Sequence, residues 1–335
     1  MRAWWVDQPG PMSSRPLVLG ERGIPVPGPH EILVQVSVCG VCRTDLHLAE
    51  GDLVPRRPGV VPGHEAVGVV AQDTAYGSKF QRGDRVGVAW LGGVCGKCAY
   101  CRRGDENLCS SPVFTGWDRD GGYAELMTVS EDFAYPIPRV FTDEQAAPLL
   151  CSGIIGYRAL KRASLPPGGR LGIYGFGSSA HLTAQLAMYQ GASVYVMTRS
   201  EQARSLARTL GVAFVGDTYD VPPDPLNAAI LFAPVGDLVP VALRALDRGG
   251  TLAIAGIHLS TIPALHYESE LFYERQVRSV TANTRVDGRD FLAVAAQIPL
   301  VPTVTAYPFD AADRALLDLA ADKVTGSAVL TFSPS

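Results

Sequence analysis

Arg170-Leu171-Gly172-Ile173-Tyr174-Gly175-Phe176-Gly177-Ser178-Ser179-Ala180 decides the fold. Its first five residues form a short apolar run that reads as a strand. The residues after the glycines read as a helix through Gln190, stopped by Gly191. Ser193-Val194-Tyr195-Val196-Met197 reads as a second strand. Strand, glycine turn, helix and strand make a βαβ unit, which predicts a parallel sheet. Gly175-x-Gly177-x-x-Ala180 occupies the turn that a dinucleotide fingerprint requires. Gly175 permits the tight turn, and Gly177 lets a pyrophosphate approach the helix N-terminus, where free N–H groups favour anions. Ala180 is small enough for close packing of helix on strand.

The second strand ends in Thr198-Arg199-Ser200-Glu201. An acidic residue at this place would hold the adenosine ribose of NAD. Arg199 stands there instead, and an arginine can pair with a 2′-phosphate, with Thr198 and Ser200 as hydroxyl donors. NADP is therefore favoured over NAD. The alternative is a solvent-facing Arg199 with NAD held elsewhere, and the nearby Glu201 keeps it open.

Working outward, residues 228–232 and 250–255 read as further buried strands, with a helix over 238–246 between them. Upstream, short β-like runs at 32–38, 67–71 and 85–89 are separated by Gly and Pro. A helix is expected over 147–163. Beyond residue 299, a helix over 311–321 and a strand over 326–332 return to mixed elements. The order predicts an α/β chain of two domains. A dinucleotide-binding domain over 154–296 is inserted into a β-rich domain made of 1–153 and 297–335.

Four cysteines follow the pattern Cys95-x2-Cys98-x2-Cys101-x7-Cys109. Four thiolates so close can close a tetrahedron around zinc, and with every place taken by sulfur the site is structural. Lys97, Arg102 and Arg103 offset part of the charge. An iron–sulfur cluster is the rival occupant. Cys42, His64 and Cys151 could form a second set, Cys2His, with an open fourth place as a catalytic zinc needs. They are far apart in sequence, so spacing alone leaves a buried Cys151 and a turn His64 as the alternative. His64-Glu65 is not a zincin motif, because no histidine follows three residues after Glu65.

The remaining composition excludes other classes. In 335 residues the net charge is −4 and no basic run exceeds two residues, so nothing advertises a nucleic-acid or acidic-membrane surface. No stretch approaches the roughly 18 apolar residues of a membrane helix. The start Met1-Arg2-Ala3-Trp4-Trp5 reads as a first strand rather than a signal peptide, so the cytoplasm is expected. Seven cysteines, an odd number, argue against a disulfide framework.

With the cysteine loop, Cys42-Arg43-Thr44-Asp45-Leu46-His47, Gly63-His64-Glu65 and the glycine turn in this order, the chain resembles the medium-chain zinc-dependent alcohol dehydrogenases over essentially its full length. The resemblance implies a GroES-like β-rich catalytic domain beside a Rossmann-type doubly wound parallel sheet. It implies a catalytic zinc on Cys42, His64 and Cys151, with Cys39 not a ligand and Glu65 close to the metal. Asp45 would accept from the far nitrogen of His64. Thr44 and His47 would carry the proton to solvent. Arg43, and Arg285 in Ala282-Asn283-Thr284-Arg285, would lie near the cofactor pyrophosphate. Trp90 and Trp117 would line the substrate pocket, and dimers or tetramers are expected. Rival readings are a cinnamyl-, polyol- or formaldehyde-type dehydrogenase, and a non-catalytic zinc and dinucleotide-binding sensor or structural protein. A zinc-free quinone reductase would not need the cysteines.

Overall fold

A computed structural model describes residues 1–74 and 77–332. The chain divides into two compact units. One comprises Met1–Cys151, Ala282–Ala296 and Pro302–Ser335, the other Ser152–Thr281 and Gln297–Val301.

The second unit is built on a six-stranded, wholly parallel sheet. Its strands lie in the order Phe214–Gly216, Ser193–Met197, Arg170–Tyr174, Leu226–Leu231, Leu246–Ile254 and Gln276–Ser279. The chain thus starts in the middle, winds one way and then the other, as in dinucleotide-binding sheets. Leu171, Ile173, Tyr174, Val194, Val196 and Met197 are all buried, as strands covered on both faces must be. The turn after Arg170–Tyr174 requires its glycine. Gly175 has φ +85°, and a Cβ there would stand 2.8 Å from the Ala233 backbone nitrogen. The helix that follows, Ser178–Tyr189, has no side-chain cap at Gly177, and a Cβ on Gly177 would meet nothing within 4 Å. That open N-terminus suits an anion.

The first unit holds a seven-stranded sheet. Its order is Val304–Pro308, Ser327–Thr331, Glu31–Val41, Ala66–Val70, Arg85–Val88 and Ala134–Pro136, with Leu126–Ser130 also pairing Glu31–Val41. All pairs are antiparallel except Val304–Pro308 with Ser327–Thr331. The pairing fixes the site. Glu31–Val41 ends one residue before Cys42, and Ala66–Val70 begins directly after His64-Glu65. Because Cys39 pairs antiparallel with Ala66, Cys42 and His64 leave the sheet at the same end. Cys151 arrives there by another route, since Leu150 packs against Gly87 of the strand Arg85–Val88. Among the described residues no helix is long and apolar enough to cross a membrane.

Two expectations change. The helix expected over 147–163 is a 3₁₀ turn, Ala147–Leu150, followed by a helix, Ser152–Ala163. The break falls at Cys151, whose φ and ψ of −124° and −71° are not helical. Apolar periodicity does not register a single residue turned out of a helix to point its thiol elsewhere.

Residues 282–296, expected in the nucleotide domain, fold with the first unit. Gly288 of the helix Arg285–Ala295 lies against the Tyr135 ring. Arg285 donates from its backbone N–H and guanidinium to Glu106, inside the cysteine loop, and stacks over Phe133 at 4.7 Å. Burial alone would raise the Glu106 carboxyl, but the Arg285 hydrogen bonds outweigh it and hold it below its ordinary value. This contribution is complete above the ordinary carboxylate value and is lost as pH falls through the lowered one. Glu106→Gln should therefore cost about 1–2 kcal/mol at neutral pH. The loss should shrink in acid, as read by denaturant unfolding at pH 7 and pH 4. Equal stability of the two chains at pH 7 would remove the anchor.

Candidate active site

Cys42 caps the helix Arg43–Glu50, and that cap organises the site. The buried Asp45, one turn in, accepts from the Cys42 backbone N–H through Oδ2 at 2.9 Å. Its Oδ1 accepts from the Gly63 N–H at 3.0 Å and lies 3.3 Å from His64 Nδ1. Gly63 has φ +97°, and a Cβ there would collide with Tyr123 and Cys39, so only glycine can make this turn. The turn delivers His64, which is wholly buried.

One donor atom each from Cys42, His64, Glu65 and Cys151 lies within 4.8 Å of all the others. The structure therefore brings together three residues that spacing could not connect, and adds Glu65. Cys39 is buried behind the turn and outside the set. The electrostatics are those of a cation site. The Cys151 thiol holds the Cys42 thiol well below its ordinary value, while Cys42, and then burial, hold Cys151 well above its own. Burial, and then Cys42, push Glu65 well up. Both ring nitrogens of His64 are buried and have no hydrogen-bond partner, Nδ1 facing Asp45 at 3.3 Å and Nε2 facing the thiols and carboxyl. An unpartnered imidazole among two thiols and a carboxyl is costly as it stands, and this chemistry fits a zinc ion.

The second set, Cys95, Cys98, Cys101 and Cys109, also has its four sulfurs within 4.8 Å of one another. Backbone N–H groups point at the sulfurs. Cys95 N–H donates to Cys109 at 3.3 Å, Cys98 N–H to Cys95 at 3.4 Å, Cys101 N–H to Cys98 at 3.5 Å and Ser111 N–H to Cys109 at 3.4 Å. The Cys101 and Ser110 N–H groups bring the Cys98 thiol down to about 5, while burial and Cys98 lift Cys101 to about 12. All four donors of this set are sulfurs, which fits a cation held by cysteine alone.

Beside His64 stands an aromatic stack. Trp90 meets the His64 ring edge-on at 4.8 Å, and stacks on Phe114 at 4.9 Å and Trp117 at 6.0 Å. Arg56 covers the far face of Trp117 at 3.8 Å. Phe114 went unremarked in the sequence, where only its place between two tryptophans marks it. Thr44 is buried, with Oγ1 3.7 Å from the Cys42 sulfur. His47, one turn along the same helix, is part-exposed and bonds Asp52 through Nδ1 at 3.0 Å.

The residues expected at the cofactor are placed as follows. Gly175, Gly177 and Ala180 form the turn already described, and Ala180 is fully buried. Thr198 is buried, Arg199 is exposed, and Ser200 caps the helix Glu201–Thr209. Glu201 is engaged by Arg204 at 2.9 Å and Arg208 at 2.7 Å. Arg43 is paired with Asp322, and Arg285 with Glu106.

The alcohol dehydrogenase GroES-like domain matches residues 28–139. The chain is 59% identical to a Mycobacterium tuberculosis protein named "Probable alcohol dehydrogenase AdhA", over 98% of this chain and 97% of that one. Among solved structures it resembles a cinnamyl alcohol dehydrogenase from Sorghum bicolor, with TM-score 0.89, 26% identity and coverage of 98% and 97%. It also resembles a zinc-binding dehydrogenase from Sinorhizobium meliloti bound to NADP, with TM-score 0.85, 26% identity and coverage of 98% for both chains. Likeness at this level, across nearly the whole of the chain and over both units, leaves one assignment: the chain belongs to the medium-chain zinc-dependent alcohol dehydrogenases, a family of oxidoreductases.

Proposed function

We propose that the protein passes hydride between a primary or secondary alcohol, with its aldehyde or ketone, and NADP(H) in preference to NAD(H). The observation that carries this reading is the buried donor set around the orphaned Nε2 of His64. Cys42, His64 and Cys151 would hold a zinc ion there, which would supply Lewis acidity toward an alcohol or carbonyl oxygen, and a bound dinucleotide would supply the hydride chemistry. Glu65 stands beside these three as a fourth donor. Asp45 fixes the His64 tautomer so that Nε2 is the donor. Thr44 Oγ1 takes the hydroxyl proton, and His47, part-exposed on the same helix, passes it to water. The Trp90–Phe114–Trp117 stack offers a flat apolar wall that suits aromatic or medium aliphatic alcohols.

A panel of aliphatic, benzylic and cinnamyl-type alcohols and aldehydes, each assayed with both dinucleotides, tests the reading alongside metal analysis. Turnover and two zinc ions per chain are expected. Dinucleotide binding with no turnover of any member would favour a sensor or structural protein instead.

Exposure of Arg199, with Glu201 already engaged by two arginines, supports the NADP preference. A guanidinium–phosphate pair is worth about 1.5–3 kcal/mol. Arg199→Asp should therefore shift the ratio of kcat/KM for NADP over NAD by about 10- to 100-fold toward NAD. A better kcat/KM with NAD in the unaltered chain would overturn the preference.

Self-association is proposed through the outermost strand, Gln276–Ser279. Among the described residues one edge of this strand pairs with no other strand, and exposed Phe272 and Tyr273 lie close to it in sequence. Light scattering should return a dimer or tetramer.

A further inference from the structure

Tyr123 belongs to neither donor set and to neither step of the proton path, yet it is fully buried beside the first set. Its backbone N–H donates to the Pro62 carbonyl at 3.0 Å, and its carbonyl accepts from Trp4 at 2.8 Å. Gly122 N–H donates to the Gly63 carbonyl at 2.8 Å. The ring lies so close to Gly63 that a Cβ there would come within 2.5 Å of it. Thus held, the phenolic hydroxyl faces Asp45 Oδ2 across 3.5 Å, a long hydrogen bond.

Asp45 consequently collects donors from three separate segments. They are the Cys42 N–H at the helix cap, the Gly63 N–H at the turn, and the Tyr123 hydroxyl from the Gly121-Gly122-Tyr123 loop, with His64 Nδ1 3.3 Å from the same carboxylate. The first two segments carry ligands, and Tyr123 carries none. A buried carboxylate is costly unless its lone pairs are satisfied, and its lateral freedom falls with each donor added. The side-chain hydroxyl is the one donor of this set that can be deleted without touching a ligand, its neighbour or the backbone.

We propose that Tyr123 is a positioning residue of the metal centre, its hydroxyl holding the Asp45 carboxylate that orients His64. The proposal rests on the reading that Cys42, His64 and Cys151 hold a metal ion. Loss of a partner that touches a ligand directly costs about 10- to 100-fold in metal affinity or activity, so a group one step further out should cost about 3- to 10-fold.

The test is Tyr123→Phe, which keeps the ring against Gly63. Zinc affinity is read by chelator competition. Site geometry is read from the visible bands of the Co2+-loaded chain as a difference from Cys42→Ser, which lacks the site. Zinc affinity should fall by about 3- to 10-fold, the cobalt bands should shift, and kcat should fall with KM unchanged. Asp45→Asn and the double variant complete a cycle. The effect of Tyr123→Phe on zinc affinity should largely vanish in the Asp45→Asn background. Unchanged affinity and bands in the single variant, or additive losses in the cycle, overturn the proposal. If the unaltered chain and Cys42→Ser bind the same number of ions, it is the underlying metal reading that fails instead.

Discussion

Cys42→Ser should lower kcat/KM by at least about a thousandfold, some 4 kcal/mol of transition-state stabilisation, while dinucleotide affinity changes little. The substitution removes one sulfur and almost no volume. A serine hydroxyl ionises far less readily than a thiol, and Cys151 holds the Cys42 thiol well below its ordinary value. The remaining donors are then one imidazole, one thiol and one carboxyl, a poorer site for a divalent cation. The helix cap survives, because Asp45 accepts from the backbone N–H of residue 42 and not from its side chain. The glycine turn lies in the other unit. Metal analysis should find one zinc per chain instead of two, and fluorescence titration with NADPH should give a Kd within about threefold of the unaltered chain. Cofactor affinity lost together with activity would mean that Cys42 serves the fold, not the chemistry.

What could be read in the sequence was what is local. The strands Arg170–Tyr174 and Ser193–Met197 lie where their apolar runs placed them, because a buried parallel strand is written in consecutive residues. The cysteine loop was equally plain, since all four donors fall in one short segment. The open donor set was not. It is assembled by the pairing of Cys39 with Ala66 and by Leu150 packing on Gly87, and neither leaves a trace in spacing. Resemblance supplied what spacing lacked. It also nominated Arg43 and Arg285 as pyrophosphate contacts, and the ion pairs they make with Asp322 and Glu106 were not legible in the sequence. Glu106 looked like any loop acid, because its meaning depends on a helix that begins 179 residues later.

Cys98→Ser should destabilise the first unit by about 3–5 kcal/mol, the loss expected when a structural metal goes. The loop from Cys95 to Cys109 cannot be held by a core of its own. Within it only Asn107 and Cys109 are buried, and Tyr100 and Leu108 are 39% and 40% exposed. What closes it is sulfur chemistry, four thiols ringed by backbone N–H donors. Position 98 separates metal from backbone effects. Its side chain caps the short helix Ala99–Arg102 by accepting from the Cys101 N–H, and serine is a preferred residue for that task. The cap is thus retained while a thiolate ligand is lost, so any destabilisation reads the metal. A melting temperature lower by about 10 °C is expected, with one zinc per chain remaining. Because Glu106 lies in this loop and anchors Arg285, the helix Arg285–Ala295 should lose amide-exchange protection in the same variant. A chain that melts normally with one zinc missing would show that the loop closes without its metal. A destabilised chain with two zinc ions would show that the cap, not the ion, depends on sulfur.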